Sequence, residues 1–198
     1  SVEACKSFFL DSTRTTVINN IYDDSKFNPK LYKCSVDDRL QVLQVGSFCA
    51  TKNQLFSIDV LHKIREQIKN VKFLFVGFDI DGYEKIIKDK IKLLNLEEHV
   101  SFYPCDADIP RLLTKSTAFI FPSLHEGFGI AIIEAQAMGV RCFASEGVPK
   151  TTDCGGVTFL KLSDGADVWA DKIIDAYRKY GNSKDKYDVS NYAIGNVI

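Results

Sequence analysis

The sequence predicts an α/β fold, a Rossmann-like parallel sheet of about six strands with helices on both faces. Three observations predict it. From residue 40 onward, short apolar β-branched runs alternate with amphipathic segments of helical length, the pattern of strands joined by crossover helices. The first two runs each end in a glycine, Gly46 and Gly77, where a strand turns sharply into a loop. The chain of 198 residues, 45% of them hydrophobic, is long enough for one sizeable core.

The elements follow in order. LQVLQVG (40–46) reads as a buried strand by its length and branching. Residues 52–68 carry Leu55, Ile58, Leu61, Ile64 and Ile68 at helical spacing. KFLFVG (72–77) is a second strand, and residues 83–96 form a helix with Tyr83, Ile86, Ile87, Ile91 and Leu94 on one face. VSFYP (100–104) is a third strand, followed by a short helix at 109–116 with Pro110 early, where its missing N–H costs nothing. AFIFPS (118–123) is the fourth strand, and residues 129–139 form a helix closed by Gly139. VRCFAS (140–145) and VTFLKL (157–162) are the fifth and sixth strands, and residues 167–180 are the last helix. No pattern places the tail from residue 181 to 198.

Composition excludes several classes. A net charge of -1 gives no general attraction to nucleic acid. No apolar run approaches the roughly 20 residues that span a bilayer, and SVEACKSFFLDSTR lacks the layout of a signal peptide. The six cysteines, Cys5, Cys34, Cys49, Cys105, Cys142 and Cys154, form no C-x-x-C pair, and no histidines stand at metal-ligand spacing. Cys49, Cys105 and Cys142 lie in or beside apolar runs, so the cysteines read as reduced thiols of a cytoplasmic protein. Lys85, Lys88, Lys90 and Lys92 give the helix at 83–96 a basic side, interrupted by Glu84 and Asp89. That side reads as solvated more readily than as a membrane dock, and a peripheral membrane contact stays open. The chain opens on Ser1, and VEACKSFFL reads as the end of a helix. The expectation is a piece of a longer protein, with a short processed N-terminus as the alternative.

The chemistry concentrates in FPSLHEGFGIAIIEAQAMG, residues 121–139. A helix N-terminus presents unpaired N–H groups and about half a positive charge, a ready anion site. Gly127 and Gly129 let a ligand approach the backbone. Glu126 and Glu134 need another reason, since acids repel phosphate. A carboxylate only accepts hydrogen bonds, and neighbouring sugar hydroxyls can donate them. Two acids flanking an anion site fit a ligand with a charged middle and a sugar at each end, as in a nucleoside-diphosphate sugar. Taken alone, Glu126 would read more readily as a carboxylate pairing with the helix dipole and Glu134 as an exposed helix acid; the two glycines between them favour the ligand. Lys52 begins a helix just beyond a strand-ending glycine. A cation is disfavoured there, so it asks for a bound anion, or is merely solvated.

Together these residues resemble the C-terminal nucleotide-binding domain of a family 4 glycosyltransferase of GT-B fold. The E-x7-E signature in its PS-x-x-EGFG context reads here as PSLHEGFGIAIIE. TKNQLFSIDVL, SEGVPKTTDCGGVTFLKL and DVWADKI are further similar to the branch that builds capsular and other surface polysaccharides. The resemblance implies a retaining transferase needing no metal or cofactor. Glu126 would contact the donor sugar, and the Gly127, Phe128, Gly129 and Ile130 backbone the diphosphate. Glu134 would hold the ribose, and Lys52 would neutralise the leaving charge beside Gly46 and Ser47. Pro104, Cys105 and Asp106 would border the base. Residues 1–35 would lead in from an N-terminal domain, absent here, that binds a saccharide or lipid-linked acceptor. Residues 36–180 would be the donor domain and 181–198 its tail. The implied location is cytoplasmic, at or near the inner face of the membrane. One departure stands out: the family often has arginine where this chain has Ser47, so one of two diphosphate cations is missing. A sugar phosphorylase or epimerase of the same fold, or a nucleotide-binding module without chemistry, remain alternatives.

Overall fold

The computed structural model describes residues 21–33 and 38–194. The expected helix end near the N-terminus, Cys5 and Cys34 lie outside these residues. Six strands form one parallel sheet: β1 (Leu40–Val45), β2 (Val71–Val76), β3 (Val100–Tyr103), β4 (Ala118–Phe121), β5 (Arg141–Ser145) and β6 (Val157–Leu160). Among the described residues five α-helices accompany them: α1 (Gln54–Gln67), α2 (Tyr83–Leu93), α3 (Ile109–Lys115), α4 (Ile130–Ala137) and α5 (Gly165–Tyr180). The strand order is β3-β2-β1-β4-β5-β6. The chain therefore runs outward from β1, then returns to lay β4 on the other side of β1. That reversal leaves a crevice between the carboxyl ends of β1 and β4, where ligands of such sheets bind.

Period-two alternation divides the core into two layers. Leu40 and Val42 of β1, Phe73 and Phe75 of β2, and Ile120 of β4 face α1, α2 and α5. Leu43, Leu74, Val76, Phe119 and Phe121 face the other way, with Leu113 of α3 and Ile132 and Ile133 of α4. Trp169 of α5 is fully buried, packs edge-on against Phe56, and donates its indole N–H to Lys161 O at 3.0 Å. The tail is also part of the second layer. Tyr22 pairs with Ala193, and both are buried there.

Three expectations change. Residues 52–68 do not form one helix: Ala50–Lys52 is a 3-10 turn, Asn53 adopts a left-handed conformation at φ 54°, and α1 starts at Gln54. Ile86 does not join the buried face of its helix but is 51% exposed, because it lies about a quarter-turn from Ile87. Cys105 is exposed rather than packed, because it falls in the turn beyond β3. The four described cysteines are free thiols.

Candidate functional site

The loop after β1 is fixed from below. The Gly46 N–H donates to Val76 O at 2.9 Å, and a Cβ on Gly77 would stand 2.1 Å from Gly46 O. Gly77 must therefore be glycine for the two loops to pass. Gln44 is buried at the carboxyl end of β1. Its amide donates to Lys52 O at 2.7 Å and accepts from the Ser57 hydroxyl at 2.7 Å. Gln54 donates to Ser47 O at 2.8 Å. The backbone that carries Lys52 is thus anchored on β1 and α1.

The loop after β4 is tied to the first. The Leu124 N–H donates to Thr51 O at 2.8 Å, and Asn53 donates to Pro122 O at 3.2 Å. The Glu126 N–H donates to Gly147 O at 3.0 Å, and a Cβ on Gly147 would meet Leu124 O at 2.3 Å. In this frame the Lys52 ammonium donates to Glu126 Oε1, as does the Ser123 hydroxyl at 2.8 Å. The two charged side chains are only 23% and 9% exposed. A pair this buried stabilises little by itself, yet removing one partner strands the other.

Beyond the pair lies the start of α4. Gly129 sits at φ 94°, and among the described residues no side chain caps the helix. A Cβ on Gly127 would meet nothing within 4 Å, so this backbone is open to a ligand. Phe128 packs on Tyr192 of the tail, with ring centres 5.7 Å apart. Glu134 lies one turn further along, half-buried. Burial pushes its carboxyl from an ordinary 4.5 up to about 7, and the Lys26 ammonium pulls weakly the other way.

The structure brings Gly46, Ser47, Lys52, Glu126 and the Gly127–Ile130 backbone together at the crevice between β1 and β4. Pro104, Cys105 and Asp106 follow β3, two strands from β1 along the same edge, and are exposed. The sequence pattern does not assign Gln44, Asn53 or Gly147 to the site, marks Gly77 only as a strand-ending glycine and carries Ser123 only within the PS-x-x-EGFG run. Their signal was present as polar residues ending apolar strands and as glycines just beyond them. The partner of each was not.

The family model described as Glycosyl transferases group 1 matches residues 33–193. The chain is 30% identical over 141 residues to the putative glycosyltransferase EpsF of Bacillus subtilis, covering 70% of this chain and 36% of that protein. It is 30% identical over 154 residues to the UDP-Gal:alpha-D-GlcNAc-diphosphoundecaprenol alpha-1,3-galactosyltransferase of Escherichia coli, covering 72% and 40%. Anabaena HepE, solved with UDP and glucose, superposes with a TM-score of 0.76 at 20% identity, over 98% of this chain and 54% of that one. The C-terminal domain of LpcC from Francisella tularensis superposes at 0.71 with 19% identity, over 87% and 99%. The chain thus spans no more than two fifths of these curated relatives and about half of HepE. The solved relatives make its sheet one half of a GT-B fold. Matched from before β1 through the described tail, the chain belongs to the group 1 glycosyl transferases.

Proposed function

We propose that this chain is the donor-binding part of a retaining glycosyltransferase. It would move a hexose-type sugar from a nucleoside-diphosphate sugar to a saccharide or lipid-linked acceptor in surface polysaccharide biosynthesis. The observation that carries the reading is the Lys52–Glu126 pair set against the uncapped start of α4. The complex of HepE with UDP and glucose supports the donor class, and the name of the galactosyltransferase relative supports a lipid-linked acceptor.

The residues divide the ligand between them. Lys52 has three N–H donors, so it can keep Glu126 while turning another toward a phosphate oxygen. The first N–H groups of α4 would take the diphosphate. Glu126 would accept from the sugar hydroxyls and Glu134 from the ribose. In the reaction the anomeric C–O bond breaks and its electron pair leaves on the diphosphate. The acceptor oxygen bonds to the same face of that carbon and passes its proton to the departing diphosphate oxygen. Lys52 and the helix N-terminus stabilise the departing charge, so the proposal calls for no metal. A lipid-linked acceptor would bring the protein to the inner face of a membrane. No helix among the described residues is long and apolar enough to cross one.

Calorimetry tests this by comparing a bare nucleoside diphosphate with its sugar conjugate. Glu134→Ala is expected to weaken both ligands about tenfold to hundredfold, the cost of a lost charged hydrogen bond of roughly 1.5–3 kcal/mol. Glu126→Ala is expected to weaken mainly the conjugate. Equal losses for both ligands in both variants would overturn the division of roles. Ser47 favours one rival, a nucleotide-binding module without chemistry. Sugar transfer by the whole protein, lost on Glu126→Ala, would reject it.

A further inference from the structure

We propose that Ser123 is a positioning residue that grips Glu126 by one carboxylate oxygen and so turns the other toward the donor sugar. The inference rests on the role given to Glu126 above.

Both hydrogen bonds to this carboxylate end on the same atom. Lys52 and Ser123 each donate to Oε1. Oε2 accepts none from the described residues. A carboxylate turns easily about its last torsion, which has a broad minimum. One donor on one oxygen leaves the other swinging. Two donors converging on Oε1, one from the turn after β1 and one from the loop after β4, fix the plane of the group, and with it the direction of Oε2.

The two donors will not fare alike when a diphosphate arrives. Lys52 is a charge on a flexible stem, and phosphate competes for it. Ser123 is neutral, fully buried and three residues from Glu126 in the same turn. Its own backbone is held in turn, since the Ser145 hydroxyl donates to Ser123 O across from β5. Leu124, the next residue, is bonded to Thr51. Ser123 is therefore the hold that persists while Lys52 is shared with the ligand. Its hydroxyl supplies no charge and touches no ligand in this scheme. Its contribution is to spare Glu126 the ordering cost of meeting the sugar.

The test uses two matched ligand pairs, UDP with UDP-glucose and GDP with GDP-mannose, and reads the affinity ratio of conjugate to bare diphosphate. For Ser123→Ala that ratio is expected to fall about fivefold to tenfold while affinity for the bare diphosphate holds. Ser123→Thr, which keeps the hydroxyl, is expected to restore the ratio. Ser145→Ala, one step further out, is expected to lower it less, and serves if Ser123→Ala does not fold. Equal loss for conjugate and bare diphosphate would make Ser123 merely structural and overturn the proposal. An unchanged ratio in Ser123→Ala, alongside a lowered ratio in Glu126→Gln, would overturn it while the reading of Glu126 stands. A ratio unmoved by Glu126→Gln as well would defeat that reading and this one with it.

Discussion

The carboxyl end of β4 and the amino end of β5 are both crowded with polar groups, but they treat them oppositely. Around β5 the groups close on each other. Arg141 pairs with Asp185 at 2.6 Å, donates to Ser183 O and lies 4.0 Å from the centre of the Tyr180 ring. Gln136 donates to Ile132 O and Thr152 O and accepts from the Cys154 and Gly156 N–H groups. A Cβ on Gly156 would meet the Tyr187 ring at 2.8 Å. Around β4 the groups are left open. Among the described residues Glu126 has one carboxylate oxygen engaged, the Glu134 carboxylate accepts no hydrogen bond, α4 has no side-chain cap, and a Cβ on Gly127 would meet nothing within 4 Å. Buried polar groups are ordinarily satisfied by their own protein. The edge at β5 engages most of its polar groups internally, whereas the edge at β4 leaves a carboxylate oxygen and a helix start free, which is what the proposed donor site requires.

The sharpest way to break this contrast is Gly147→Ala. The new methyl would stand 2.3 Å from Leu124 O, a backbone atom that cannot step aside alone. The Glu126 N–H, now bonded to Gly147 O, would lose its acceptor as the loops part. We expect a stability loss of about 3 kcal/mol together with loss of diphosphate binding. Chemical denaturation and calorimetry would read both. Unchanged binding in the variant would mean that the Glu126 loop is not the site.

The internally paired region should behave differently. Lys184 donates to Leu113 O at 2.9 Å and to Ser116 O, at the C-terminal end of α3. Lys184→Met is expected to cost about 2 kcal/mol, the range of a charged hydrogen bond, with no change in ligand affinity. A loss of affinity comparable to that of Glu134→Ala would show that the two regions are coupled and that the contrast is false.

How much of this was legible depended on what kind of signal each residue carries. All six strands could be read, since each is a short apolar run between turns. The helical face of α1 could be read from spacing, and α5 as the last helix. Ile86 could not be placed, because in YEKIIKDKIKLLNL an apolar residue a quarter-turn off the buried stripe looks like part of it. The tail could not be placed either. It has no periodicity, and it is held by scattered side-chain bonds such as Tyr192 to Thr151 O and Arg141 to Asp185. At the site, Glu126, Glu134 and Lys52 could be singled out by type and position. What could not be read was the strand order that lays β4 beside β1, and hence the contact between Lys52 and Glu126 across 74 residues. Nor could the sequence say that Ser123 and Ser145 face each other, since both read as ordinary ends of strands.

The smallest expected effect is also the most diagnostic, because one group should drive two pH dependences in opposite directions. Burial raises the Glu134 carboxyl from 4.5 to about 7 in the folded chain. Between those values the folded state holds a proton that the unfolded state has released. Stability contributed by this group is therefore present at low pH and is lost as pH rises through that window. The full shift would be about 1.36 kcal/mol per unit, and partial exposure of the side chain reduces the sum to about 1–2 kcal/mol. Glu134→Gln cannot ionise, so it should be more stable than the parent at pH 8 and about equal at pH 4.5. Ligand binding should run the other way. Ribose hydroxyls donate best to the ionised carboxylate, so affinity for a nucleoside diphosphate should rise with pH through about 7, beyond the change that the ligand's own phosphate causes. Glu134→Gln should show only that ligand contribution, which makes the variant its own control. Urea unfolding and calorimetry at matched pH values would read the two slopes. If stability falls in the parent but not in the variant, while their affinity profiles stay parallel, Glu134 is a buried acid without a ligand. The open character of this edge would then belong to Glu126 and the helix start alone.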